Sequence, residues 1–286
     1  MRKINVLSIC DGISCGQIAL ERIGIKVNNY FASEIKENAI KVTNKNYPNT
    51  VQLGNVLNFS EWELPKIDLL IGGTPCQDLS IAMKERKGLK GSKSNLFYSY
   101  VDALEKLKPK YFLLENVARM PNEDKEIITQ LLGVEPIRIN SKLVSAQLRD
   151  RLYWTNIPSV SVPKDKGILL ESILTDGVTD RLKSRALLAS DSRPLKDKEK
   201  MFRRYKVTGF TTIVFENSIE DQENIRYLDQ DELEKLQTLP QGYTSVLSRN
   251  QAADVIGDGW TVDVIAHILT GIKNEEKDQL KVAPNS

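Results

Sequence analysis

The 286-residue chain predicts an α/β fold, a doubly wound and mostly parallel sheet with a small loop-rich basic insert. Three observations predict it. Short β-prone apolar runs alternate with helical segments over residues 1–158, as in sheets covered on both faces. The first run, Ile4 to Cys10, stops at a glycine-bearing turn, Asp11 to Gly16, and Ile18, Ala19 and Ile23 then fall at helical spacing. Strand, glycine turn and helix open many nucleotide- and nucleoside-binding folds, although two glycines alone serve equally well as a structural turn. Beyond Pro158 aliphatic residues thin out and basic ones accumulate.

The remaining elements follow in order. Tyr30 to Ser33 reads as a second strand ending in Glu34, and Ile35 to Asn46 as a helix. A carboxylate at that strand end either accepts from a ribose or favours the helix start that follows. Val51 to Leu57 is a third strand with Asn55 near its end, and Ile67 to Ile71 a fourth. Leu96, Phe97, Tyr100, Val101, Leu104 and Leu107 form the apolar face of a helix that Pro109 ends. Tyr111 to Leu114 is a fifth strand running into Glu115-Asn116-Val117, and Pro136 to Leu143 a sixth. In Gln147-Leu148-Arg149-Asp150-Arg151, strand alternation places Gln147, Arg149 and Arg151 on one face and so presents two guanidinium groups together. Leu228 to Leu239 reads as a helix stopped by Pro240, and the last helix lines up Val262, Ile265, Ala266, Leu269 and Ile272, with His267 off that stripe at the surface.

Length and composition bound the reading. A chain this long buries about three quarters of its unfolded surface, so its core needs no staple. A hydrophobic content of 41%, a charged content of 27% and a net charge of +2 are ordinary for a globular protein, and only the distribution of charge can speak for nucleic acid. Cys10, Cys15 and Cys76 lack metal-ligand spacing, and His267 is the single histidine, so no metal is expected. No apolar run approaches the roughly 20 residues of a membrane span, and the amino terminus has no signal-peptide layout, so a reducing, cytoplasmic setting and no membrane partner are expected.

The chain organises around Gly72-Gly73-Thr74-Pro75-Cys76-Gln77-Asp78-Leu79-Ser80, which follows the fourth strand. Open α/β sheets place their chemistry at such strand ends. A lone cysteine is as a rule a small buried hydrophobe, but Pro75 stiffens the turn and presents this thiol. Glu115 reaches the same sheet edge from the neighbouring crossover. Between them, Ile81 to Lys93 carries Lys84, Arg86, Lys87, Lys90 and Lys93 against Glu85, which suits a lid over a phosphate-bearing substrate or a solvated loop. Arg181 to Lys206 holds ten basic residues against three acidic ones, a balance of +7 that suits phosphates.

A thiol and a carboxyl beside a nucleoside-binding half fit covalent activation of a pyrimidine. Carbon 5 of cytosine is a poor nucleophile until a thiolate adds at carbon 6 and makes the ring an enamine. Cys76 is the candidate thiolate, favoured by Arg149 and Arg151, and Glu115 the group that serves ring N3. A duplex hides carbon 6, so the base must be flipped out, with Ile81 or Met83 filling the vacated space.

The ordered set GGTPCQ, ENV, QLRDR, RYLDQDELEKLQTLPQGY and GDGW resembles the cytosine-5 DNA methyltransferases, and most of all the catalytic domain of the animal de novo enzymes. The resemblance covers nearly the whole chain, the basic insert least. It implies the Rossmann-like fold of S-adenosylmethionine-dependent methyltransferases, methyl transfer to carbon 5 of cytosine in double-stranded DNA, and S-adenosylhomocysteine as by-product. By the same resemblance Cys76 is the nucleophile, and Glu115, Arg149 and Arg151 bind and activate the cytosine. Asp11, Gly12, Ile13, Glu34, Asn55, Val56 and Trp260 line the cofactor pocket. Pro75, Gln77, Ser80, Ile81, Asn116, Arg181, Arg185, Arg203 and Arg204 are the expected DNA contacts. Residues 1–158 form the catalytic and cofactor-binding part, 159–224 the target-recognition region, and 225–286 the helices that complete the catalytic part.

Three departures bear on the cofactor. Cys10 stands where the family commonly has phenylalanine, Asn55 where an aspartate is usual, and Trp260 in a Gly-Asp-Gly-Trp run rather than the commoner Gly-Asn pair, which together imply weaker affinity. Two other readings stay open, a transfer-RNA cytosine-5 methyltransferase and a catalytically weak DNA-binding regulatory homologue. The implied source is a microbe or phage, with or without a restriction partner, and the protein a monomer or homodimer.

Overall fold

The computed structural model describes residues 3–74, 95–188, 191, 193–209 and 211–282. Five parallel strands come first: β1 (Ile4–Ile9), β2 (Val27–Ser33), β3 (Val51–Gln52), β4 (Leu69–Gly73) and β5 (Tyr111–Val117). β6 (Ile137–Asn140) and β8 (Asp150–Thr155) extend the sheet to the order β3-β2-β1-β4-β5-β8-β6, with β8 antiparallel to both neighbours. The chain thus winds outward twice from β1 and β4, and the crevice between their C-terminal ends is the switch point at which open α/β sheets take ligands.

Strand alternation sorts the core into two layers. Leu69, Ile71 and Leu113 pack on one face with α1 (Cys15–Arg22) and the C-terminal helices α7 (Arg249–Asp258) and α8 (Val262–Val282). Leu70, Phe112 and Leu114 pack on the other with Phe97 and Tyr100 of α3 (Asn95–Leu107), Ile128 and Leu132 of α4 (Asn122–Leu132), and Trp154. This is the period of two expected of central strands. The expected stripe of α8 is buried, and the stretch Arg249–Glu275 contains an 18-residue window apolar enough by composition to span a membrane, of which 72% is buried inside the protein. His267 is only half exposed, with Nε2 2.7 Å from the Ser161 carbonyl.

Several elements differ from expectation. β3 is two residues long, because the chain turns at Gly54 (φ +74°) and Asn55 caps a 3-10 turn over Val56–Glu61, its side chain accepting from Leu57 N at 3.1 Å. The sixth strand ends at Asn140 and passes into a 3-10 turn, Ser141–Leu143. Outside the insert two helices were not anticipated. α4 starts after Pro121 with Glu123 and Asp124 in its first turn and stops at left-handed Gly133, and α7 supplies the Gly257-Asp258 part of the GDGW run.

The basic insert is more ordered than a loop-rich reading allows. It holds β9 (Ser184–Arg185), α5 (Lys198–Thr208) and β10 (Ile213–Phe215), the last paired with β11 (Ile225–Tyr227) across residue 224. Asp197 caps α5 by accepting from Lys200 N at 2.9 Å, and Met201 and Tyr205 pack with Ile213, Phe215 and Ile225 in a small core of their own. β7 (Gln147–Leu148) pairs in parallel with β9 and ties the insert to the catalytic part. The helix α2 (Glu37–Asn46) and α6 (Gln230–Leu236), which opens with a capping box between Asp229 and Glu232, lie where expected.

Candidate active site

The candidate site sits where β4 and β5 end and the antiparallel β8 begins. Their register sets Gly73 beside Glu115 and Val117 opposite Arg151. Both Glu115 oxygens are engaged, Oε1 by Arg151 Nε at 2.7 Å and Oε2 by the Trp260 indole N–H at 3.1 Å. The carboxylate is 7% exposed, so these bonds act with little screening by water. Gly73 makes the approach possible: a Cβ there would lie 2.8 Å from Trp260 Nε1 and 3.1 Å from Glu115 Oε2. One residue on, Thr74 Oγ1 accepts from Asn116 Nδ2 at 2.9 Å, and Asn116 Oδ1 accepts from Val117 N at 2.8 Å. These bonds fix the backbone that leads into Pro75 and Cys76. Cys76 itself, with Pro75, Gln77, Ser80, Ile81 and Met83, lies outside the described residues, as does the basic stretch through Lys93.

The two arginines part company. Arg151 reaches Glu115, whereas Arg149, 4% exposed, donates from Nη1 to the Gly257 carbonyl at 3.1 Å and from Nη2 to the Gly259 carbonyl at 2.8 Å. The paired presentation expected from alternation does not form, because residues 147–148 belong to β7 and strand β8 starts only at Asp150. Burial, and then the nearby Arg151 charge, lower the Arg149 pKa to about 10, so it remains a cation at neutral pH.

Arg149 fastens the joint between α7 and α8, and residues not singled out from sequence finish the job. Gln237 Nε2 donates to the Ile256 and Gly259 carbonyls at 3.0 and 3.1 Å, while its Oε1 accepts from Thr261 Oγ1 at 2.7 Å. Gly259 packs against the buried Cys15 at the head of α1, where a Cβ would lie 3.4 Å from the sulfur, so the Gly259–Trp260 segment spans the crevice from the start of α1 to the carboxylate at the end of β5.

The turn after β1 is a buried polar network. Asp11 accepts from Tyr30 OH at 2.7 Å and from Ser14 Oγ, and the Ser14 hydroxyl lies 3.1 Å from that of Thr43. Burial raises the Asp11 pKa to about 6 against the lowering effect of these hydrogen bonds. Glu34 is fastened to backbone, accepting from Gly12 N at 2.8 Å and from Ile35 N and Lys36 N at 2.7 and 2.8 Å. Ile13 is buried with its carbonyl taking the Tyr243 hydroxyl at 2.7 Å, Val56 is buried, and Asn55 is exposed. Beside Glu34 an apolar side chain, Ile35, is left 69% exposed, and among the described residues no atom beyond the chain neighbours lies within 4 Å of a Cβ built on Gly12.

In the insert, Arg181 donates to the Gly209, Thr211 and Tyr205 carbonyls and lies 3.9 Å over the Tyr205 ring, so its guanidinium is spent on holding α5. Arg185 and Arg203 are exposed and Arg204 half-buried. With Lys200 and Val207, the latter 77% exposed, Arg203 forms the face of α5 opposite Met201 and Tyr205. Among the described residues no group of three His, Cys, Asp or Glu side chains could hold a metal ion.

Residues 4–135 match the family described as C-5 cytosine-specific DNA methylase. The chain is 32% identical over 181 residues to orphan methyltransferase M.Rho11sI of Bacillus phage rho11s, covering 59% of this chain and 36% of that protein. It is 34% identical over 197 residues to type II methyltransferase M.NgoBV of Neisseria gonorrhoeae, covering 61% and 46%. The matched regions thus span less than half of either relative. Among solved structures, the Entamoeba histolytica methyltransferase EhMeth aligns over 96% of this chain and 99% of its own with a TM-score of 0.71 at 17% identity. A Spodoptera frugiperda DNMT2 variant aligns over 95% and 100%, with a TM-score of 0.67 at 18% identity. At such identities these structures speak for the fold.

Proposed function

We infer that this chain, whose residues 4–135 match the C-5 cytosine-specific DNA methylase family, methylates carbon 5 of cytosine in double-stranded DNA. The observation that carries this reading is the Glu115 carboxylate, clasped by Arg151 and Trp260 at the end of β5, beside the strand that feeds Cys76. Open α/β sheets use that edge, and a fixed carboxylate next to a thiol is what pyrimidine activation needs.

S-adenosylmethionine, the cofactor this family generally uses, supplies when bound an electrophilic methyl group on a sulfonium. The residues of the crevice fit it. Glu34 keeps one lone pair, on Oε2, for a ribose hydroxyl beyond its three backbone donors, the exposed Asn55 amide can meet a purine edge, and exposed Ile35 offers an apolar surface for a ring. Asp11 and Ile13 shape the turn, and the open space over Gly12 leaves room for a close approach.

The base is extruded from the duplex to reach the site. The Cys76 thiolate forms a bond to carbon 6, and the π electrons of the 5,6 bond shift to carbon 5. Glu115 pairs with the 4-amino group and shares a proton with ring N3 as electron density rises there, held in line by Arg151. After methylation, water reaching the site takes the carbon 5 proton, the C–H electron pair re-forms the 5,6 double bond as the sulfur–carbon 6 bond breaks, and the Cys76 thiolate leaves with aromaticity restored. The outward face of α5, with Lys200 and Arg203, and the exposed Arg185 supply cations for the phosphate backbone.

Bisulfite sequencing of DNA from a host expressing the chain, beside methyl incorporation by the purified protein into duplex DNA and transfer RNA, tests this reading. Methylcytosine in a fixed DNA context, absent with Cys76→Ser, is expected. Incorporation into transfer RNA alone would overturn the DNA assignment, and activity retained by Cys76→Ser would overturn the mechanism.

A further inference from the structure

We propose that Trp260 is a positioning residue for Glu115, acting through its indole N–H, so that the α7–α8 joint sets the geometry of the base-activating carboxylate. This rests on the role given to Glu115 above. The indole N–H donates to Oε2 at 3.1 Å while Arg151 holds Oε1, so the two donors fix the rotation of the carboxyl plane, which a single donor would leave free. The bond is built in from both sides. Gly73 lacks the side chain that would strike the indole nitrogen, and Trp260 is anchored before the bond is made. The preceding residue, Gly259, packs against Cys15, and its carbonyl takes donors from both Arg149 and Gln237. Arg149 and Gln237 therefore reach the carboxylate indirectly, through Trp260. Packing of a cofactor uses the ring of Trp260, whereas positioning uses its N–H, so the two roles can be separated.

Trp260→Phe keeps the ring and deletes the donor. A hydrogen bond to a charged group, lost at a reacting centre, lowers kcat about tenfold or more, while KM for S-adenosylmethionine stays within about twofold. The chain has three tryptophans, so the indole ¹⁵N–H resonances of Trp62, Trp154 and Trp260 separate readily, and Trp260→Phe assigns its own. Glu115→Gln should shift the Trp260 resonance and leave those of Trp62 and Trp154 in place. Wild-type kcat in Trp260→Phe with a raised KM would reduce Trp260 to a cofactor contact. A Trp260 resonance unmoved by Glu115→Gln would overturn the proposal even if Trp260→Phe failed to fold. A wild-type chain that methylates no cytosine would instead sink the functional reading, and the resonance would still report the contact.

Discussion

Replacing Gly73 by alanine adds one methyl group at the most crowded point of the site. The new Cβ would lie 2.8 Å from Trp260 Nε1, 3.1 Å from Glu115 Oε2 and 3.3 Å from Trp260 Cε2. Nonbonded atoms settle at about 3.5–4 Å, so the indole or the carboxylate must move by roughly 0.5–1 Å. Neither yields easily: Arg151 holds the carboxylate, and Arg149 and Gln237 hold the joint that carries Trp260. Overpacking of this kind costs about 1–3 kcal/mol, and each kcal/mol lowers Tm by about 2–4 °C in a protein of 150–250 residues, a little less here. A shift of that size at a reacting group costs up to ~10²-fold in rate. Gly73→Ala should therefore fold, melt a few degrees lower and lose between one and two orders of magnitude in kcat, read by calorimetry and tritiated methyl transfer. Gly133→Ala provides the contrast, because among the described residues left-handed Gly133 (φ +68°) has no atom beyond its chain neighbours within 4 Å of its would-be Cβ, so it should lose about 1 kcal/mol of stability and no activity. Wild-type kcat and Tm in Gly73→Ala would refute the argument.

Asp11 has its pKa raised by burial from 3.8 to about 6, so the stability its neutral form contributes is complete below about pH 4 and lost as pH rises through 6. Two units at ~1.4 kcal/mol each make the stability of the wild type relative to Asp11→Asn fall by about 3 kcal/mol between pH 4 and 7, measurable by urea unfolding; a flat difference would contradict this. Burial pushes the Cys10 and Cys15 thiols up to about 12, so at pH 8 a thiol-specific disulfide reagent should titrate one fast thiol, absent from Cys76→Ser; two or three fast thiols would contradict it. Lys200→Ala and Arg203→Ala should each lower the salt slope of DNA binding by about 0.9 with Tm unchanged, and an unaltered slope would remove α5 from the DNA interface.

The parallel strands were legible because buried strands read as unbroken apolar runs, and Glu115 because it closes one of them. What the sequence left hidden depends on partners far along the chain. Arg149 finds its carbonyls at Gly257 and Gly259, more than 100 residues on, so a local alternation rule placed it beside Arg151 when the chain had already changed sheets. Gln237 and Cys15 carry no signature until α7 and α1 meet. Charge density masked α5, whose apolar side, Met201 and Tyr205, answers to a core formed only once β10 and β11 pair. Asn55, expected at a strand end, caps a turn instead, since an amide oxygen near a left-handed glycine finds a backbone N–H first.

The central claim is covalent attack by Cys76 on an extruded cytosine. Duplex DNA bearing 5-fluorocytosine offers no carbon 5 proton to remove, so once methylated the adduct cannot release the thiol. The account predicts a denaturation-resistant protein–DNA complex that requires S-adenosylmethionine, maps by mass spectrometry to Cys76, and is absent from Cys76→Ser. A complex attached at another residue, or efficient methylation of ordinary DNA with no trapped complex on the fluorinated strand, would contradict it.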